Sequence, residues 1–183
     1  MTELSLHILD IVKNSTKAGA SLVKVDITES TAQNVLKITI TDNGCGMDEE
    51  FLKGVTDPFK TTRTTRKVGM GLSLFKTAAE LTGGTFDITS KVGEGTVVTA
   101  EFVWDSIDRQ PLGDMASTMV TLVSGSESTD FVYRHDFNGN VFEFSTIQVR
   151  EILGDVAITS PEVMAWINGY IAEGLSEIMI GGY

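Results

Sequence analysis

Between residues 3 and 17 apolar positions recur at helical spacing. Leu4, Ile8, Ile11, Val12, Ser15 and Ala18 share one side, while Glu3, His7, Asp10, Asn14 and Lys17 form a polar stripe on another. Gly19 stands where such a helix would end. The period then drops to two: residues 22–28 and 35–41 alternate as strands, with turn-like polar residues between them. A short helix is predicted from about Asp48, and a longer one from Gly71 to Thr82, stopped by Gly83-Gly84. Residues 85–90 and 96–104 read as two more strands, joined by Val92-Gly-Glu-Gly. Hairpin-linked strands imply antiparallel neighbours, and the helices must bury their apolar sides together on one face of the sheet. The pattern predicts an α/β two-layer sandwich (α+β), not a doubly wound sheet.

The pattern changes after Trp104. Residues 105–113 are polar, contain Pro111 and Gly113, and read as a linker, which divides the chain into residues 1–104 and an extension, 105–183. In the extension, residues 115–123, 131–135 and 140–144 resemble strands, the last two flanking a Phe137-Asn-Gly-Asn hairpin turn. Ser160-Pro161-Glu162 has the chemistry of a helix start, with a capping hydroxyl, a proline in the first turn and an acid near the positive end. That helix would run to about Met179, making the extension a small α+β unit.

Composition narrows the choice of function. With 42% hydrophobic and 21% charged residues the chain is globular. No apolar run has the length of a membrane span. The first residues lack the basic region and apolar stretch of a secretory signal, and the single cysteine, Cys45, cannot form an internal disulfide. A cytoplasmic protein is expected. The net charge of −11 is unevenly placed: acids and bases balance up to Lys67, and the remainder is strongly acidic. Such a chain is a poor nucleic-acid binder and suits a protein partner instead. Its one basic cluster, Lys60, Arg63, Arg66 and Lys67 among threonines, is either a solvated loop or a phosphate-facing lid.

Four short motifs carry chemistry. Asp10 and Asn14 are four apart on one helix face, so their side chains converge. A carboxamide oxygen suits Mg²⁺, which keeps several waters and shares a nucleotide's phosphates. A carboxylate one turn away can take a proton from an attacking water or hydroxyl. Lys17, another turn on, could meet a phosphate as a point charge. Asp42 ends the second strand as a pure acceptor, matching the exocyclic amine of adenine rather than guanine. Gly44 and Gly46 leave room for close backbone approach before Met47. Gly69-Met70-Gly71-Leu72 precedes a helix whose positive end suits phosphates, and Thr96 could complete hydrogen bonds around the base. Neither the P-loop pattern nor the Gly-x-Gly-x-x-Gly fingerprint is present.

The order Asp10-x3-Asn14, Asp42-x-Gly44-x-Gly46, Pro58-Phe59-Lys60-Thr61-Thr62, Gly69-x-Gly71-Leu72 and Gly93-x-Gly95-Thr96 resembles the GHKL superfamily of gyrase, the heat-shock chaperone ATPase, histidine kinases and MutL. The resemblance covers residues 1–104. It implies a Bergerat-type mixed sheet covered by helices on one face, with Mg-ATP held between the helices and a lid. Carried over, Asn14 would bind magnesium and Asp42 the adenine amine. Gly44, Gly46, Met47, Gly69, Met70, Gly71, Leu72 and Thr96 would line the pocket, and Thr61, Thr62 and Arg63 would belong to the lid.

Two departures from the family pattern bear on activity. Histidine kinases usually carry asparagine at the position of Asp10, whereas gyrase, MutL and related serine kinases carry glutamate as general base; Asp10 is one methylene shorter. The chain shows no dimerising hairpin with a phosphoacceptor histidine, and His7 and His135 sit in unsuitable segments, so a stand-alone protein is expected. The foremost expectation is an ATP-dependent protein kinase acting on a separate partner at serine, threonine or histidine. The alternative is a nucleotide-gated binding regulator with little turnover. An ATP-driven clamp like MutL is disfavoured, because no lysine follows Lys91 to reach a γ-phosphate.

Overall fold

A computed structural model describes residues 2–57 and 70–181. Helix α1 (Leu4–Lys17) leads into a hairpin of β1 (Leu22–Ser30) and β2 (Val35–Asp42), the short α2 (Glu49–Gly54), α3 (Gly71–Leu81), and a second hairpin of β3 (Thr85–Lys91) and β4 (Gly95–Val103). Then follow α4 (Met115–Gly125), β5 (Asp130–Phe137), β6 (Asn140–Ser145), α5 (Thr146–Leu153) and α6 (Pro161–Gly181). The strands form one open, mixed sheet in the order β3-β4-β2-β1-β5-β6, in which only β1 and β5 pair in parallel. The α+β fold with a mixed sheet is the one the sequence predicts.

Strand periodicity decides which face is buried. Register sets Val25, Ile40 and Val98 side by side, and beyond them Ile27, Ile38 and Ala100. These side chains are buried, whereas Lys24 and Lys37, one position away, are exposed. On the buried face lie Leu4, Ile8, Ile11 and Val12 of α1, Phe75 and Ala79 of α3, Met115 and Met119 of α4, and Ile167 and Ile171 of α6, all in one core. Each fully buried side chain of this size contributes roughly 1.5–3 kcal/mol. The positive φ of Gly19 (78°) and Gly83 (85°) ends α1 and α3 as predicted.

Residues 115–123 form helix α4, not the predicted strand. Their β-branched residues favour a strand by propensity, but local capping and tertiary burial outweigh it. Asp114 caps the helix by accepting from the Ser117 amide at 2.9 Å and its hydroxyl at 2.7 Å. Met115, Ala116, Met119, Leu122 and Val123 then fall on one buried side. Helix α5, which the sequence analysis left unassigned, follows β6 directly and buries Thr146 and Val149.

The predicted linker lies across the start of α1. The carbonyls of Pro111 and Leu112 accept from the amides of Leu4 and Ser5 at 2.9 and 2.8 Å, occupying donors that a helix start leaves free. Gln110 accepts from His7 Nε2 at 3.0 Å. His7 is therefore not part of an exposed stripe: it is buried against Phe75, and burial lowers its pKa below 6.5 despite the Gln110 bond. No helix among the described residues is long and apolar enough to cross a membrane.

Candidate nucleotide-binding site

A cavity of about 590 Å³ opens between α1, the loop after β2, α2 and the start of α3. Ile11, Ile40, Met47, Phe51, Leu72 and Val98 give it apolar walls, and Asn14, Lys17, Asp42 and Thr96 supply polar groups. This size and lining match a small-molecule pocket with a few orienting contacts.

Asp42 is the most constrained of these groups. It closes β2, opposite Thr96 of β4 in register. One carboxylate oxygen accepts from the Gly44 amide at 2.9 Å, the other from the Ser15 hydroxyl at 2.6 Å. Each oxygen keeps a lone pair for a ligand donor. Beside it Ser90 accepts from the Met47 amide at 2.8 Å and shares a 2.8 Å hydrogen bond with the Thr96 hydroxyl.

The loop from Asn43 to Met47 is held from two sides. Asn43 Oδ1 accepts from the Ser21 and Leu22 amides, the Cys45 amide donates to the Ala18 carbonyl, and the Gly93 amide donates to the Cys45 carbonyl. A Cβ on Gly44 would stand 3.0 Å from that of Ala18. On Gly46, at φ 69°, it would collide with the Lys91 carbonyl. The two glycines thus let the loop press against the end of α1 on one side and the β3–β4 turn on the other. Cys45, exposed, lies in the cavity wall.

Asp10 sits one turn before Asn14 and faces the start of α3. A Cβ on Gly71 would stand 3.3 Å from the Asp10 Cβ and 3.8 Å from its Oδ2. Leu72 is a buried part of the cavity wall, whereas Met70, which precedes α3, is 59% exposed. Lys17 is exposed at the rim. Thr61, Thr62, Arg63 and Gly69, with the rest of the basic cluster, lie outside the described residues.

Sequence reasoning placed Ser15 among the apolar positions of α1 and assigned it no contact with Asp42. Its signal was a lone hydroxyl on an otherwise apolar side, next to Asn14. Phe51 and Ser90 carried no local signal. The donor set fits an adenine nucleotide: a held carboxylate for the amine, a hydroxyl pair beside it, apolar walls for a ring, and a carboxamide and an ammonium farther along α1.

The fold and the lining of this pocket fit a nucleotide-binding class, and comparison with known proteins resolves the family. The sequence profile of the histidine kinase-, DNA gyrase B-, and HSP90-like ATPases matches residues 2–105, and the chain belongs to this family. Membership implies ATP binding. Histidine protein kinase DivJ of Caulobacter vibrioides is 32% identical over 96 residues, half of this chain and 16% of DivJ. The tetrathionate sensor histidine kinase TtrS of Salmonella typhimurium is 32% identical over 113 residues, 60% of this chain and 18% of TtrS. The chain thus spans less than a fifth of the length of either relative. Among solved structures, the N-terminal domain of a DNA repair protein superposes with a TM-score of 0.57 at 14% identity, covering 86% of this chain and 59% of that one. That similarity concerns the fold alone.

Proposed function

We propose that the protein binds Mg-ATP in this cavity and acts as an ATP-dependent protein kinase on a separate cytoplasmic partner, with serine, threonine or histidine as acceptor. The observation that carries the reading is the Asp42 carboxylate, fixed by Ser15 and Gly44 at the cavity wall. Asp42 accepts the exocyclic amine of adenine, and Thr96 completes the polar edge. Ile40, Val98, Met47 and Leu72 enclose the ring. Asn14 offers a neutral oxygen for magnesium, which when bound would offset phosphate charge. Lys17 meets a phosphate from the rim, with Met70 and Gly71 at the head of α3, and Thr61, Thr62, Arg63 and Gly69, outside the described residues, complete the ATP-binding set in this reading. Asp10 takes the proton of the acceptor hydroxyl. In this reading residues 1–104 hold the nucleotide and residues 105–183 meet the partner.

A second reading is a nucleotide-gated regulator with little turnover. It is favoured by the short Asp10 side chain, turned toward Gly71 at the head of α3.

Calorimetry with ATP and ADP, with and without magnesium, tests the proposal. Wild type should bind both nucleotides. Asp42→Asn should weaken binding by about 10- to 100-fold, the worth of one charge-assisted hydrogen bond. No heat at millimolar ATP, or equal affinity in the variant, refutes it.

A further inference from the structure

The last two helices leave an apolar groove that shares no lining residue with the cavity described above. Val149, Ile152 and Leu153 of α5 and Val163 and Trp166 of α6 line a depression of about 240 Å³, with Glu162 at its edge. Ile152 is 82% exposed and Trp166 52%, so the described residues leave the groove open. Trp166 stacks on Tyr170 with ring centroids 5.0 Å apart and an interplanar angle of 15°. Tyr170 in turn packs on Phe142 and Phe144 of β6, which fixes the pair to the sheet.

Charge indicates what covers it. Glu162, Trp166, Tyr170, Glu173 and Glu177 follow one another at helical spacing, so the aromatic pair is bracketed by carboxylates along one side of α6. Glu151 within α5 and Asp155 just after it are exposed as well. From Glu151 to the end of the sequence there are acids but no lysine or arginine. The cation just before that stretch in the sequence, Arg150, is held by Asp130 at 3.1 Å and by the Glu127 carbonyl at 3.0 Å. An apolar slot with stacked aromatics and an acidic border suits an amphipathic helix that inserts large aliphatic side chains and presents Lys or Arg at its flanks. A second copy of this chain docking through the same groove would bring acid against acid.

We infer that the α5–α6 groove docks a basic amphipathic helix of a partner protein. The surface stands apart from the ATP reading and does not depend on it. The full-length protein, without nucleotide, is titrated with three synthetic peptides of about five helical turns: an amphipathic Leu/Lys helix, its Leu/Glu counterpart, and a Ser/Lys peptide of the same charge. Binding is followed by Trp166 emission, with Trp166→Phe identifying that signal against Trp104. The Leu/Lys helix should saturate with a blue shift, and its binding should weaken as salt rises. Ile152→Asp, at a mostly exposed position, should weaken it tenfold or more with an unchanged thermal transition. Glu162→Lys should weaken it as well and stands in if the first variant fails to fold. Equal binding of the Leu/Glu helix, equally tight Ser/Lys binding, or indifference to both substitutions overturns the inference. So does sedimentation showing a dimer that Ile152→Asp dissolves, which would make a second copy the occupant.

Discussion

Asp10, in the middle of α1, and Asp42, the last residue of β2, are both acids, yet their surroundings prepare them for different work. Asp42 has each oxygen held by one protein donor, so its orientation is set before a ligand arrives. That arrangement suits recognition, where a fixed acceptor loses little entropy on binding. Asp10 is half-buried and turned toward Gly71. If it is the general base, Asp10→Asn should lower turnover by about 10²-fold or more and barely change ATP affinity. Single-turnover phosphate transfer or release, measured beside calorimetry, separates the two effects. Unchanged turnover would count against the general-base role and favour a histidine kinase-like or purely electrostatic mechanism. Asp42 was legible because an acid followed by two glycines at a strand end is a distinctive local pattern. Ser15 was not, because its role lies in a contact with a residue 27 positions away.

Among the elements, α4 shows how a short apolar segment is decided. Its Met, Val, Thr and Leu residues fit either period over nine positions, and their β-branched members argued for a strand. The cap at Asp114 and the core between α1 and α6 made it a helix instead. Asp114→Ala should therefore cost about 1 kcal/mol in chemical denaturation, the usual worth of a helix N-cap, without loss of the fold. A change below a few tenths would mean that packing alone holds α4. The strap over α1 was read as a linker because its bonds run from carbonyls of residues 111 and 112 to amides of residues 4 and 5, a connection that composition does not express. The hairpins, by contrast, were legible because alternation and turn residues are both local.

Across the whole molecule, a buried polar chain joins the two halves of the sequence. Trp104 Nε1 donates to Glu29 Oε2 at 3.0 Å, His135 Nε2 lies 2.8 Å from Glu29 Oε1, and the Tyr133 hydroxyl lies 2.8 Å from His135 Nδ1. With its donors and acceptors matched, such a network specifies the pairing of β5 against β1 as well as stabilising it. Burial pushes the Glu29 carboxyl up, but the bonds from His135 and Trp104, with the charges of His135 and Arg109, together outweigh this and leave it below its usual 4.5. Unfolded chains take up that proton near 4.5, while the folded protein resists it. The Glu29 contribution to stability is thus complete above pH 4.5 and is lost as pH falls through the folded value. In denaturation between pH 7 and pH 3, Glu29→Gln should be less stable at neutral pH by about 1–3 kcal/mol and flatter on the acid side. An equally steep acid limb in the variant would assign that limb to other groups.

The sequence alone determined the helical and strand periods of residues 1–104, the order of the glycine and acid motifs, and through them the family. These are properties of neighbours along the chain, where period, cap and turn chemistry act within a few residues. Tertiary structure decided that residues 115–123 coil, that β5 joins β1 in parallel, that His7 is buried, and that Ser15 holds Asp42. In each case burial or a hydrogen bond between residues distant in sequence contributes what local pattern does not record, with the local Asp114 cap acting beside it at α4.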